Sequence, residues 1–312
     1  MTPAPTAPGS SLRGPFRLAI ALLVVTTVTI LWGAMTTSTG SGLAFLDWPT
    51  SDGEFMPERS YTTVPGFLEH FHRLLGACAG LIVLTLTIWL ARHPSASGAA
   101  RRTAWFGLGL IIVQGVIGGV GVLKGLLALT SVTHGALAQV TLATFAWLAY
   151  LLSARRAATV PLANVPPGRG RTLSIIGIAV LIAQTLLGGV ARHTNSTHAL
   201  WSHVSNAAIV FLTVTVVTAF AVGKLADAPG IKGLARWLIT LLIVQIVLGF
   251  VALAIRNSAG KTPENVANLG TAAVISVHVL LGALLTMLMA TLAAHVHGAT
   301  RPRSAAPQGS PA

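Results

Sequence analysis

The chain has 312 residues, of which 53% are hydrophobic and 9% are charged, whereas a soluble globular chain is about 25% charged. This composition excludes an ordinary soluble domain, and the single cysteine, Cys78, excludes an internal disulfide. The net charge of +13 would suit a nucleic-acid partner, but its distribution along the chain argues for membrane topology and against nucleic acid.

Apolar runs recur along the whole chain, and each is long enough to cross a hydrocarbon core of roughly 30 Å. Lipid offers no hydrogen bonds to the backbone, so each run is predicted to be an α-helix. The first run is too long for a cleaved signal peptide, and further spans follow it. The sequence therefore predicts an all-α membrane protein with eight transmembrane helices, at about residues 17–36, 67–91, 104–124, 128–153, 172–191, 199–223, 234–254 and 270–295.

The basic residues predict the orientation of these spans. Fourteen Lys and Arg residues lie in the tails and in the gaps after even-numbered spans. The positive-inside rule then places both termini in the cytoplasm, as in a multi-pass protein of the plasma membrane in contact with lipid. Only five basic residues fall in the gaps predicted to lie outside, namely Arg59, Lys124, Arg192, Arg256 and Lys261.

Composition also divides the chain into segments. Residues 1–16 and 298–312 are rich in Pro, Ser, Ala and Gly and are predicted to be disordered cytoplasmic tails. A basic linker at 154–171 separates an N-terminal half, 17–153, from a C-terminal half, 172–297. Because spans 1–4 and 5–8 have the same orientation, we expect two pseudo-symmetric four-helix bundles side by side.

A short repeat near the outer ends of the odd-numbered spans supports this division. A glutamine is followed four residues later by a glycine, which would let helix backbones approach closely and could face a cofactor edge. The repeat occurs as Gln114 to Gly118, Gln184 to Gly188 and Gln245 to Gly249, with a degenerate form near Gly33.

Four of the ten histidines lie within spans, one in each even-numbered span and all in the outer third of the membrane: His72, His134, His203 and His278. An imidazole in a membrane either bonds neighbouring helices or marks a functional site. It can ligate heme iron, zinc or copper, but zinc or copper would need three or four ligands at one point. A two-by-two arrangement favours one axial pair per half, His72 with His134 and His203 with His278.

The residue four positions after each of these histidines is small, and it lies on the same helix face. A flat macrocycle lying against the helix needs such a residue one turn from its ligand. The four residues are Gly76, Ala138, Ala207 and Gly282.

The two halves differ beside their first histidine. Glu69 is the only acidic residue within a span, and it shares a helix face with His72, while Arg73 follows His72 directly. Glu69 and Arg73 either form an ion pair that stabilises span 2, or act as general base and propionate anchor. The second half has Val204 after His203, so catalysis is expected in the first half.

Other histidines carry less information. We expect His70 at the outer interface, about 200° around the helix from His72, while His193 and His198 lie in a short outer loop where they could contact propionates.

The chain resembles the heme A synthase family over about residues 17–295. The resemblance rests on Gly40 to Leu43 followed by Asp47-Trp48-Pro49, on Glu-x-x-His-Arg at Glu69 to Arg73, on the Gln-x-x-x-Gly segments and on the last histidine. It implies eight helices and two hemes. By resemblance, Glu69, His72 and His134 would be catalytic residues around a heme O substrate, and His203 and His278 would ligate a resident heme b, with Arg73 as a cofactor-binding residue.

The activity implied is oxidation of a methyl group of heme O to a formyl group by successive hydroxylation, giving heme A for cytochrome oxidase. Candidate partners are heme O synthase, an electron-transfer partner and a second copy of the chain. Two departures matter. Some members of the family carry a cysteine pair in the first outer loop, but here Phe45 and Leu46 precede Asp47 and no cysteine is present. The second half also lacks an arginine after His203.

Two other functions remain open on the residues alone. A diheme b-type electron carrier without chemistry of its own would also need four histidines, but it needs no acid beside the iron. A transporter with histidine proton relays would show broken helices and further acids at mid-membrane.

Overall fold

The computed structural model describes residues 12–160, 162, 167–258 and 269–300. The predictions for the two tails fall mostly on residues 1–11 and 301–312, which lie outside this part of the chain, as do residues 163–166 of the predicted linker. Lys261, expected on the outer side, also lies outside the described residues.

Eight helices are long and apolar enough to cross a membrane, which confirms the predicted fold class. They enclose the predicted spans to within one residue: α1 (Arg13–Ser38), α3 (Val64–Arg92), α4 (Gly98–Leu123), α5 (Ala128–Leu152), α7 (Pro167–Thr194), α8 (Thr197–Leu225), α9 (Ile231–Ser258) and α10 (Leu269–Ala299). Two short helices, α2 (Arg59–Thr62) and α6 (Ala154–Ala158), lie in an outer loop and in the linker.

Three predicted boundaries differ from the structure. Helix α1 begins at Arg13, so residues 13–16 are helical where a tail is predicted. The linker holds α6 and the first residues of α7, and α10 continues through Ala299 into the predicted C-terminal tail. In each place the helix extends beyond the apolar run, and Pro15 and Pro167 fall in the first turn of α1 and α7, where the missing N–H of proline is tolerated.

Hydroxyl side chains fix where several helices begin. Thr63 accepts a hydrogen bond from the backbone N–H of Gly66 at the start of α3, and Pro65 follows in the first turn, where its missing N–H costs nothing. Ser97 and Ser196 cap α4 and α8 in the same way. These caps set the starting points of two helices, α3 and α8, that carry site histidines.

The helix contacts fit the two predicted bundles. In the first half α1 packs against α3, α3 against α4, α4 against α5, and α5 returns to α1. In the second half α7, α8, α9 and α10 close a ring in the same order. Between the halves, α5 and α1 pack against α10, and α5 packs against α7.

Each bundle has a solid apolar core only toward the helix ends that are predicted to face the cytoplasm. The fully buried side chains there include Leu22, Leu86 and Phe145 in the first half and Val214 and Leu292 in the second. The outer part of each bundle is instead lined by the intramembrane histidines and by glycines. The histidines therefore lie in the outer part of each bundle, beyond the two clusters of buried aliphatic side chains.

Candidate heme-binding sites

The structure brings the four intramembrane histidines together in the two predicted pairs. The ring centres of His72 in α3 and His134 in α5 are 6.3 Å apart, with the ring planes at 79°. His203 in α8 and His278 in α10 repeat this geometry at 6.3 Å and 81°. Two bundles that share little sequence thus present the same pair of nearly perpendicular imidazoles.

This separation suits one metal atom between each pair of rings. An imidazole nitrogen binds a metal at about 2 Å, so two rings on opposite sides of one metal have centres about 6 Å apart. Within the described residues, no three His, Cys, Asp or Glu side chains converge on one point. The available donors are therefore two separate imidazole pairs, and imidazole is a ligand that could hold a heme iron.

A glycine of the preceding helix backs each histidine ring. A Cβ at Gly33 would lie 2.6 Å from Cε1 of His72, and one at Gly188 would lie 2.8 Å from Cε1 of His203. The same contact is 3.1 Å for Gly118 with His134 and for Gly249 with His278. The glycines of the sequence repeat, including the degenerate one in α1, thus make room for imidazoles as well as for close helix approach.

The backbone carbonyl of the residue four positions before each of these glycines faces Nδ1 of the same histidine. His72 Nδ1 lies 3.2 Å from the Thr29 carbonyl, and His203 Nδ1 lies 3.0 Å from the Gln184 carbonyl. At His134 and His278 the buried Nδ1 atom makes no hydrogen bond within the described residues, although the equivalent carbonyls face those rings. An N–H at Nδ1 bonded to a carbonyl leaves Nε2 with its lone pair, the form that binds a metal.

In the second half the glutamines of the repeat also bond back to the histidine helices. Gln184 Nε2 donates to the backbone carbonyl of His203 at 2.9 Å, and Gln245 Nε2 donates to that of His278 at 3.0 Å. Gln184 also accepts a hydrogen bond of 2.8 Å from Asn206. Gln245 Nε2 lies 3.5 Å from His278 Nε2, at the outer limit of hydrogen bonding. Helices α7 and α9 therefore fix the position of α8 and α10, which carry the histidines, along the helix axes.

Open space lies beside two glycines near the histidines of the first half. A Cβ at Gly76, four residues after His72, or at Gly135, next to His134, would meet no atom within 4 Å. At Gly282, four residues after His278, the nearest atom is Nε2 of Gln245 at 3.3 Å. The first half thus has open room against both of its histidine helices, and the residues fit a flat macrocycle there.

Glu69 and Arg73 form the ion pair that the sequence left as one of two alternatives. Glu69 is 3% exposed, and its Oε1 accepts a hydrogen bond from Arg73 Nη2. Its Oε2 accepts from the backbone N–H of Phe45 at 3.0 Å. Arg73 also donates to the backbone carbonyls of Asp47 at 2.8 Å and Thr50 at 2.5 Å. The pair therefore ties the outer loop to α3, one turn from His72.

The outer loop between α1 and α3 folds over the first site. Phe45 is fully buried there, beneath the guanidinium groups of Arg59 and Arg73. Hydrogen bonds from the backbone N–H of Gly53, the hydroxyl of Thr50 and the N–H of Asp52 lower the pKa of Asp47 to about 2. Asp52 also pairs with Arg59, which raises the pKa of that arginine.

Two features of this region were not predicted from the sequence. His70 is buried under the loop, with Nδ1 3.0 Å from the Ser51 hydroxyl, rather than at the outer interface. The Trp48 ring packs on Gly119 of α4, where a Cβ would lie 2.4 Å away. Two adjacent glycines in span 3 were a visible signal for a close contact, but the sequence does not show that its partner comes from a distant loop.

The second site has a different outer edge. Only Asn195 and Ser196 separate α7 from α8, and no described loop comparable to residues 39–63 covers it. His193 belongs to the last turn of α7 and His198 to the first turn of α8. Arg192 also belongs to α7, so its predicted place in the outer gap is wrong by a few residues, because α7 extends past the apolar run.

The comparisons with known proteins identify a family for this chain. The family model COX15-CtaA, described as cytochrome oxidase assembly protein, matches residues 16–205, which is more than half of the chain. The chain belongs to this family. The match includes three of the four intramembrane histidines, His72, His134 and His203, as well as Glu69 and Arg73.

Several relatives of this COX15-CtaA chain carry the name heme A synthase. That of Rhizorhabdus wittichii is 26% identical over 361 aligned positions, which cover 96% of this chain and 98% of the relative. Those of Symbiobacterium thermophilum and Geobacillus kaustophilus are 32% and 27% identical, over 34% and 54% of this chain. The chain spans about a third and a half of the length of these two relatives.

Proposed function

We propose that this member of the heme A synthase family oxidises a methyl group of heme O to a formyl group, giving heme A for cytochrome oxidase. One observation carries the proposal: two equivalent imidazole pairs occur, and among the described residues only the first has a buried carboxylate one helical turn from a ring. Two sites of equal spacing but unequal surroundings suit one substrate heme and one resident heme.

In this proposal His72 and His134 flank the substrate heme O, and the open room at Gly76 and Gly135 receives its macrocycle. Glu69 acts as the general base, within one helical turn of the macrocycle. Arg73 balances the charge of Glu69, so that the buried carboxylate is not an isolated charge. Arg73 could then serve a propionate only by exchanging one of its bonds to the loop.

His203 and His278 hold a heme b, which supplies one-electron transfer when bound. Gln184 and Gln245 hold the backbone of these two helices at a fixed depth. The outer loop, tied to α3 through Glu69 and Arg73, covers the first site. We place both termini in the cytoplasm and the protein in the plasma membrane, with an electron-transfer partner still to be identified.

One observation favours a second candidate, a diheme electron carrier. Glu69 has a complete structural role, since both of its oxygens are used to hold Arg73 and Phe45. A carboxylate that only stabilises the loop would be compatible with a protein that carries electrons and performs no chemistry.

Extraction and chromatography of the hemes from the purified, detergent-solubilised protein test the choice. Wild type is compared with Glu69→Gln, which keeps the shape of the side chain, and with Glu54→Gln, a matched substitution of an exposed loop carboxylate. His278→Ala reports on the second site. Loss of a general base lowers the rate by about 10²–10⁴-fold, so Glu69→Gln should accumulate heme O or a hydroxylated intermediate while Glu54→Gln resembles wild type.

Two results would contradict the proposal. If wild type holds only heme b and Glu69→Gln changes only its thermal stability, the electron carrier is the better account. If no heme is present in wild type, both candidates fail, and the histidines serve as hydrogen-bonding groups between helices.

A further inference from the structure

A second intramembrane arginine lies at the interface between the two halves. Arg192, in the last turn of α7, donates from Nη2 to the Ser38 hydroxyl at 2.7 Å and to the Ala34 carbonyl at 3.3 Å. Both partners belong to α1 of the other half, and both are neutral. The ion pairs found among the described residues are Arg59 with Asp52 and Arg73 with Glu69, so Arg192 has no carboxylate partner in that part of the chain.

Two connections place Arg192 beside the second imidazole pair. It lies four residues after Gly188, hence on the same face of α7 and about 6 Å further out than the contact with His203. Its partner Ser38 lies 3.0 Å from the hydroxyl of Ser276, which is fully buried and two residues from His278. Arg192 is thus next to both helices that carry this pair, on their outer side.

The equivalent position in the first half carries a threonine and no arginine. Thr37 is the residue four after Gly33, and its hydroxyl donates to the Gly33 carbonyl of its own helix at 3.0 Å. The cation of the first half is Arg73, directly after His72, where the second half has Val204. Among the described side chains, each half therefore has one arginine near its imidazole pair, but the two arginines come from different helices.

A charged side chain within a membrane is costly and is expected to pair with an opposite charge. Heme carries two propionate carboxylates on one edge, and arginine binds carboxylates with strong, directional hydrogen bonds. We propose that Arg192 binds a propionate of the heme held by His203 and His278, with Ser38 and Ala34 of the first half orienting its guanidinium. This inference rests on the proposed function, because it requires a heme at the second pair.

Redox titration tests the inference in a His72→Ala background, which disrupts the first imidazole pair and leaves the second pair complete. A propionate that loses its cation favours ferric over ferrous heme. Arg192→Gln should therefore lower the midpoint potential, and a tenfold change in the ferric-to-ferrous preference corresponds to about 59 mV for one electron. Arg192→Lys keeps the charge and should show a clearly smaller fall in midpoint potential. This variant also keeps the inference testable if Arg192→Gln does not accumulate.

The matched control is Arg192→Gln in a His278→Ala background, where only the first pair is complete and no shift is expected. Ser38→Ala removes a hydrogen bond to Arg192 but leaves the charge, so it should change the potential little. A shift at the first pair alone, or a lower melting temperature with both potentials unchanged, would overturn the inference while leaving the proposed function intact. Absence of heme from the wild-type protein would instead overturn the proposed function.

Discussion

At the residue scale, the contact between a glycine and an imidazole is the unit from which both sites are built. The same unit occurs four times, between α1 and α3, α4 and α5, α7 and α8, and α9 and α10. The sequence repeat predicted the positions of these glycines and their place near the outer helix ends. It did not show that their Cα atoms face imidazole rings, because a helical repeat fixes depth and face but not the partner on another helix.

This unit leads to a prediction for Gly188→Ala. The added Cβ would lie 2.8 Å from Cε1 of His203, so the ring must move away from its present position. Disturbing a group that orients a metal ligand typically lowers metal affinity by about 10–100-fold. We expect a comparable loss of heme from the second site, measured as the ratio of bound heme to protein and by the absorption of the low-spin heme.

Gly109→Ala is the matched control, since a Cβ at Gly109 in α4 meets no atom within 4 Å. Alanine in a helix interior is otherwise more stable than glycine by about 0.5–1 kcal/mol. The control variant should therefore keep its heme and melt at the same temperature as wild type or slightly higher. Equal heme retention by Gly188→Ala and Gly109→Ala would show that the ring position does not depend on the glycine.

At the element scale, the outer loop and α3 form one polar unit. The sequence identified Asp47 and Glu69 as parts of a pattern, but it did not show that Arg73 bonds the carbonyls of the loop or that Glu69 bonds the N–H of Phe45. Such contacts depend on how a loop of about 25 residues folds back. They involve backbone groups, which every residue has, so the sequence does not indicate which of them will form hydrogen bonds. The ion pair at i and i+4, in contrast, follows directly from helix geometry.

The low pKa of Asp47 makes this loop sensitive to acid. The pKa in the folded loop is about 2, below its usual value of 3.8, so the carboxylate stabilises the loop fully above about pH 4. This contribution declines as the pH falls through the interval from about 4 to 2. Hydrogen exchange of the Asp52 and Gly53 amides should therefore accelerate in that interval, beyond the intrinsic pH dependence of exchange.

In Asp47→Asn this acid-dependent opening should disappear, and exchange should already be faster at neutral pH. The fluorescence of Trp48, whose ring packs on Gly119, gives a second reading of the same event. An unchanged opening profile in the variant would show that Asp47 is not the group responsible for the acid sensitivity.

At the scale of the whole molecule, apolar runs and the distribution of charge predicted the eight helices, and the spacing of four histidines predicted their pairing. The lipid environment requires long apolar helices, because each backbone polar group within it must be hydrogen-bonded inside its own helix. The contacts between the halves were not predicted. Gln139 was unremarkable in the sequence, yet it is buried between α5, α7 and α10, and its role depends on three helices distant in sequence.

Gln139 leads to a prediction about how the halves are held together. Its Oε1 accepts hydrogen bonds from Thr185 at 2.8 Å and from Thr286 at 2.9 Å. Hydrogen bonds between membrane helices contribute about 0.6 kcal/mol each on average, so Gln139→Leu should lower the free energy of unfolding by about 1 kcal/mol. Both threonines keep a carbonyl partner in their own helix, Leu181 and Gly282, which limits the loss.

The measurement is thermal or denaturant unfolding in detergent, followed by helicity and by release of heme. Thr141→Val is the control, since the Thr141 hydroxyl donates to Leu137 in its own helix. Because Gln139 lies between the halves and Thr185 follows Gln184, which bonds His203, Gln139→Leu should release heme from the second site earlier than Thr141→Val does. If the two variants unfold alike, apolar packing of α5 and α1 against α10 holds the halves together without this hydrogen-bonded centre.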